Sequence, residues 1–292
     1  AYDILNNRKD SLGIILEYNT QIDKINKKTI FLNKSKKLIH GIPNISFIGA
    51  GNYANSQLIP NFAKLDLELY KIVANKGLGP AYLGRKYGFK YASTEVDELI
   101  NDNECNTIVI STRHDSHACL VRKSLIAGKN IFVEKPLCLN IDELNSIEES
   151  YYSKNSVNKK QNNNPILMVG FNRRFAPLTS ELFREIKKLP GPKTFIYTCN
   201  SGYIPSEHWT QSPDQGGRLI GEACHFVDLI VYLSESKISN LSVNYAKDKK
   251  SCPDTFTIQI TLENGSIGTV HYFSNGSKAY PKERLEVFSN GK

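Results

Sequence analysis

The chain has 292 residues, 37 basic against 29 acidic, for a formal net charge of +8; 40% are hydrophobic and 23% charged. That length supports a full core and suits two domains better than one, and the apolar-to-charged balance excludes a disordered chain. No apolar run reaches the roughly 20 residues of a membrane-spanning helix: the richest, Leu219 to Leu233, contains Glu222, His225 and Asp228.

Residues 1–42 carry short helix-like and strand-like patterns and a basic connector. They are too few for a core of their own and read as the remnant of an upstream domain, so the chain is expected to be a piece of a longer polypeptide. Ile45 to Ile48 is then a buried-type strand ending in glycine, Asn55 to Lys64 a helix and Leu69 to Ala74 a second strand. Thr107 to Ile110, Ile131 to Val133 and Ile166 to Val169 are further strands, separated by helical patterns at His117 to Ala127 and Asp142 to Ser153. Strands alternating with helices predict a Rossmann-type, doubly wound parallel sheet over residues 43–175. The polar stretch Ser153 to Asn164 reads as a surface loop within that unit.

Beyond Pro177 the texture changes. A helix at Ser180 to Lys188, a strand at Lys193 to Cys199, a polar loop from Asn200 to Gln215 and a long helix at Leu219 to Leu233 lead into four strand-like runs. These are Ile238 to Tyr245, Thr255 to Leu262, Ser266 to Phe273 and Arg284 to Phe288, with an Asn264-Gly265 turn signal between two of them. Residues 176–292 are therefore expected to form an α+β domain on a mostly antiparallel open sheet. An uncovered apolar sheet face predicts a homo-oligomer.

The positive charge lacks a basic stripe interleaved with aromatics, so neither nucleic acid nor membrane is expected as a partner. The six cysteines are scattered without a C-x-x-C pair, which reads as free thiols of a cytoplasmic protein. His114, His117 and Cys119 lie close together, but a structural zinc site needs four ligands and no second cluster is visible, so no metal is expected.

Ile48-Gly49-Ala50-Gly51-Asn52-Tyr53-Ala54 reads as strand, glycine turn and helix start. Gly49 permits the turn, Gly51 lets the backbone approach a pyrophosphate, and the small Ala54 lets the helix pack closely on the strand. Free N–H groups of Asn52 and Tyr53 at the helix start suit the phosphates. The second strand is followed by Ala74-Asn75-Lys76-Gly77, without the acid that would hold an adenosine ribose. Lys76 beside Asn75 either meets a 2′-phosphate or is solvated, so NAD and NADP both stay open as cofactors.

Glu134-Lys135-Pro136 closes a buried strand. Together with the glycine turn, Thr112 and His117 after the fourth strand, Gly170 to Phe175, and Gly216 to Asp228, it resembles the glucose-fructose oxidoreductase / inositol dehydrogenase / MocA family over residues 43–292. The resemblance implies an NAD(P)-dependent oxidoreductase acting on a hydroxyl or carbonyl of a sugar or nucleotide-sugar. It places Thr112, His117, Glu134 and Lys135 around the cofactor, with Lys135 beside the reacting hydroxyl, where a cation stabilises alkoxide character. His225 is the expected general base, since an ordinary histidine titrates near pH 6.5. The family's helix has an acid four residues before that histidine; here the position is Gly221, and Glu222 follows it, offset by about 100° on a regular helix. Glu222 is kept as a catalytic candidate. Arg173, Tyr203, His208, Trp209, Arg218 and Asp228 are the candidates for the substrate side.

Ala1 to Leu5 and Leu12 to Tyr18 are similar to the end of a zinc-type alcohol dehydrogenase domain, and Gly202 to Pro205 with His208-Trp209 is similar to a subgroup carrying that fusion, associated with surface-polysaccharide and nucleotide-sugar metabolism. Two rivals remain: a dinucleotide-binding sensor or assembly protein without chemistry, favoured by Gly221, and a lyase or glycosidase that uses transient oxidation.

Overall fold

The computed structural model describes residues 15, 28–33, 43–157, 165–247 and 253–291. The resemblance to an alcohol dehydrogenase at Ala1 to Leu5 and Leu12 to Tyr18, and most of the loop expected between Ser153 and Asn164, lie outside the described residues.

Seven described strands form the first sheet: β1 (Thr29–Phe31), β2 (Asn44–Ile48), β3 (Glu68–Val73), β4 (Tyr91–Ser93), β5 (Thr107–Ile110), β6 (Asn130–Val133) and β7 (Leu167–Val169). Their order is β1-β4-β3-β2-β5-β6-β7. All pairs are parallel except β1 on β4. From β4 to β7 this is the doubly wound order, with its switch point between β2 and β5. Strand β2 is buried at all five residues, as a central parallel strand covered on both faces must be. One face carries α1 (Ile59–Phe62) and α2 (Leu78–Tyr87) over Phe47, Ile72 and Phe89. The other carries α3 (Val96–Ile100), α4 (His117–Ile126) and α5 (Ile141–Val157) over Ile48, Ile108 and Val133.

The sequence reading assigns no element at β4, α2 or α3, and it reads the strand-like pattern before residue 43 as the remnant of an upstream domain, whereas β1 joins the first sheet beside β4. The helix expected at Asn55 to Lys64 is a π turn at Ala54–Leu58 running into α1.

The second sheet has the order β12-β8-β11-β10-β9, with β8 (Thr194–Asn200), β9 (Ile238–Tyr245), β10 (Phe256–Leu262), β11 (Ile267–Phe273) and β12 (Glu283–Phe288). It is antiparallel apart from β8 beside β11. Asn264-Gly265 turns the β10–β11 hairpin, as the sequence signals. The last two strands are not neighbours, because β8 lies between them. α6 (Pro177–Lys187) precedes this sheet, and α7 (Cys224–Ser234) packs Phe226, Leu229, Ile230 and Leu233 onto its Phe195, Ile258, Ile260 and Val270. Each such side chain contributes roughly 1.5–3 kcal/mol on burial. The helix expected as one piece from Leu219 is a π turn at Leu219–Ala223 followed by α7.

Candidate active site

The candidate site lies at the C-terminal ends of β2, β5 and β6, beside the switch point, where α/β sheets bind ligands. Gly49 has φ +114°, a backbone conformation that favours glycine, and a Cβ there would lie 2.5 Å from the Ser111 carbonyl oxygen. The turn is held by Gly49 N–H donating to Val73 O at 2.8 Å. Gly51 is exposed, and a Cβ on it would meet nothing within 4 Å. Asn52 and Tyr53 are exposed beside it, and Ala54 is buried under the turn. The open backbone at Gly51, at a helix start and at the switch point, fits a pyrophosphate. Asn75 and Lys76 lie exposed just beyond β3.

Thr112 is half-buried, its hydroxyl 2.6 Å from that of Ser116. His117 needs correcting as a direct cofactor ligand. It is fully buried, with Nδ1 2.8 Å from Pro136 O and Nε2 3.2 Å from Thr112 O. It ties the loop after β5 to the Glu134-Lys135-Pro136 segment, whose Lys135–Pro136 bond is cis. Glu134 is 9% exposed, and burial pushes its carboxyl up to about 7 against the pull of the Lys135 cation. Burial and then Glu134 raise the Tyr53 phenol, which accepts from Asn172 Nδ2 at 3.2 Å.

Lys135 Nζ donates to Gly221 O at 2.6 Å. This bond joins the end of β6 to the π turn that leads into α7, and so brings Lys135 to the helix that carries His225. The His225 ring meets Phe171 edge-on at 6.1 Å, and its Nδ1 is buried without a partner. Burial, then the Lys135 and Arg173 cations, push His225 down to about 3. The expected titration near neutrality is thus corrected: at pH 7 the imidazole is uncharged.

Glu222 also needs correcting. Its Oε2 accepts from Tyr272 Oη at 2.6 Å and pairs with Arg218 Nη2 at 2.7 Å. Arg218 is 4% exposed. Arg218 is thereby closed off from substrate, while Glu222 is engaged through Oε2 with 34% of its side chain still exposed. Pairing recurs at the domain junction: Arg173 is paired with Glu283 and lies over Phe226, while Arg174 grips both oxygens of Asp228. Arg173 and Asp228, expected on the substrate side, therefore brace the two units against each other.

Tyr203 is 68% exposed. His208 is exposed, its Nδ1 2.8 Å from Thr210 Oγ1. Trp209 is half-buried between the Arg113 guanidinium, 5.6 Å from its ring, and His114 at 5.1 Å. The sequence reading weighs His114 as a metal ligand and, alternatively, as a loop residue beside a binding cleft; the fold places its ring against Trp209. Among the described residues no group of three or more His, Cys, Asp or Glu is placed to hold a metal; Cys119 is exposed, away from the two buried rings. Likewise, no helix of the described residues is long and apolar enough to cross a membrane.

Comparison with known proteins bears on the family and the fold. Residues 43–158 match the model of the oxidoreductase family with an NAD-binding Rossmann fold, and residues 193–290 match the GFO/IDH/MocA C-terminal domain. The chain is 23% identical over 269 residues to the uncharacterized oxidoreductase YrbE of Bacillus subtilis (strain 168), covering 87% of this chain and 72% of that protein. It is 30% identical over 163 residues to the scyllo-inositol 2-dehydrogenase (NAD(+)) of the same organism, covering 55% of this chain but only 44% of that enzyme. The crystal structure of myo-inositol dehydrogenase from Lactobacillus casei in complex with NAD(H) and myo-inositol superposes with a TM-score of 0.70 at 16% identity, covering 85% of this chain and 72% of that one; this likeness concerns the fold. The two family segments together take in more than half of the chain, which belongs to the Gfo/Idh/MocA family of oxidoreductases and carries its NAD-binding Rossmann domain.

Proposed function

We propose that the chain oxidises a secondary hydroxyl of a cyclic polyol or sugar, nucleotide-sugars included, at the cleft end of β6. The observation that carries this reading is the Lys135 Nζ–Gly221 O bond, which sets a cation from the dinucleotide domain beside the helix bearing His225. NAD or NADP, when bound, would supply the hydride acceptor. Gly49, Gly51, Asn52 and Tyr53 would face its pyrophosphate. With no acid after β3, Lys76 is left to favour NADP or to remain solvated.

Lys135 has two further N–H donors beyond the one on Gly221 O. One of them would hold the substrate oxygen and stabilise its alkoxide character. Nε2 of His225, the ring nitrogen not sealed within the protein, would take the hydroxyl proton. A base held near 3 suffices for this, because a hydroxyl losing hydride becomes a far stronger acid than imidazolium. In the reverse direction the same nitrogen, once protonated, would return that proton to the carbonyl oxygen.

Glu134 supplies a pH prediction. Its carboxyl is neutral below about 7 and charged above. A negative charge favours the cationic oxidised nicotinamide over the reduced one. The ratio of NAD+ to NADH affinity is therefore expected to rise as pH increases through that value. Titrations at several pH values check this, and Glu134→Gln should flatten the profile.

A role in surface-polysaccharide metabolism and an upstream alcohol dehydrogenase-like domain rest on sequence resemblance, and a cytoplasmic location on the scattered cysteines without a C-x-x-C pair. Self-association is supported by Ile267 and Phe288, each about half exposed on the sheet face away from α7. The rival sensor reading draws on Gly221 and on the commitment of Glu222 to Arg218. The test is reduction of NAD+ or NADP+ by a panel of inositols, aldohexoses and nucleotide-sugars; no reduction with any member overturns the oxidoreductase reading.

A further inference from the structure

We infer that His114 is a specificity-determining group of this cleft, whose Nε2 accepts a hydrogen bond from a second hydroxyl of the substrate. The inference rests on the proposed oxidation of a polyol or sugar, and it adds the requirement for a second hydroxyl near the one oxidised.

Position 221 is where three segments meet. Lys135 bonds the Gly221 carbonyl at 2.6 Å, and a Cβ on Gly221 would lie 2.9 Å from Cε1 and 3.3 Å from Nδ1 of His114. The missing side chain at 221 therefore makes room for the His114 ring. That ring is 8% exposed and fixed from several sides. Nδ1 donates to Gln215 O at 2.8 Å, Trp209 meets the ring edge-on at 5.1 Å, and His117 packs at 5.9 Å.

The donor bond to Gln215 O assigns the proton to Nδ1, which leaves Nε2 with a bare lone pair. Nε2 has no protein partner and is not one of the fully buried polar atoms that lack one. Burial holds the ring uncharged at about 4, with the Lys135 cation acting in the same direction and Asp115 opposing it. Around Gly221 the fold thus sets an acceptor, His114 Nε2, on a ring that packs against this residue, and a donor, Lys135 Nζ, on its carbonyl. One hydroxyl accepting from lysine and a neighbour donating to histidine would satisfy both. A carboxylate in place of the second hydroxyl would face a lone pair and be disfavoured.

The experiment takes the panel member that the wild-type protein oxidises best and its mono-deoxy analogues. A site built to bond a hydroxyl rejects the analogue that lacks it, because its own polar group is then left unpaired. One analogue should be strongly rejected by the wild-type protein, and His114→Ala should reduce that rejection at least about tenfold. His114→Gln, which keeps an acceptor, should restore part of it. Gly221→Ala, which presses a methyl group against the ring, should weaken it like His114→Ala and carries the test should His114→Ala not fold. Equal loss on the substrate and on every analogue would reduce His114 to a structural role and overturn the inference, leaving the oxidoreductase reading in place. A wild-type protein that oxidises no panel member overturns both.

Discussion

Lys135→Ala is expected to lower kcat by about 10²–10³-fold, the effect of removing one preorganised donor from a developing oxyanion, while leaving NADH affinity largely unchanged. The side chain reaches from the end of β6 to the π turn before α7, where Nζ donates to Gly221 O at 2.6 Å; no second hydrogen bond of Nζ is found among the described residues, which leaves two donors for substrate. Its contribution falls in the transition state, which is why kcat and kcat/KM should fall together. Steady-state kinetics checks this on whichever panel member is oxidised. His225→Asn is the companion variant and should cost about 10²–10⁴-fold, the range for general acid–base catalysis. Its pH profile separates two accounts of that histidine. With the ring held near 3 by burial and by the Lys135 and Arg173 cations, the wild-type protein should show no loss of His225 function as pH falls through the ordinary histidine range. Wild-type rates in both variants would remove the chemistry from this cleft.

The second large effect is expected at the glycine turn. Gly51→Val should abolish dinucleotide binding and leave the fold intact. A Cβ at Gly51 meets no atom within 4 Å, so the branched side chain is accommodated by the protein and intrudes only where a pyrophosphate would approach. The contrast is Gly49, where a Cβ would press on the Ser111 backbone and the positive φ would be strained; a substitution there should destabilise the domain as well. Fluorescence titration with NADH, paired with thermal melting, distinguishes the two positions. Equal NADH affinity in wild type and Gly51→Val would sink the assignment.

What was legible in the sequence was what depends on neighbours in the chain. The turn at Gly49 and Gly51, the strand before it and the end of β6 at Lys135 each announce themselves within a few residues. So does the Asn264-Gly265 hairpin. Partners distant in sequence were not legible. Arg173 meets Glu283 110 residues away, Arg174 meets Asp228 54 away, and Glu222 meets Tyr272 50 away. Each pairing turns a candidate substrate or catalytic group into a brace. The π turn at Leu219–Ala223 breaks the regular phase on which the offset of Glu222 from Gly221 was reckoned. The place of β8 between β11 and β12 is likewise set by packing on α7, which no local pattern encodes. His114 stands out in the sequence as one of a His-Cys cluster beside a binding cleft, but its packing against Gly221 does not: a glycine in a helical pattern is visible, and only the fold shows which ring fills the space.

The most direct test of the central claim is isotopic. A panel polyol or sugar carrying deuterium on its ring carbons is incubated with the protein and NAD+ or NADP+, and the dinucleotide is recovered for mass spectrometry. Oxidation at the Lys135–His225 site predicts one deuterium in each reduced nicotinamide, matched by one carbonyl in the sugar product and formed about 10²–10³-fold more slowly in Lys135→Ala. Bound dinucleotide that never acquires deuterium, or a cleaved or eliminated sugar formed without net reduction, would contradict it.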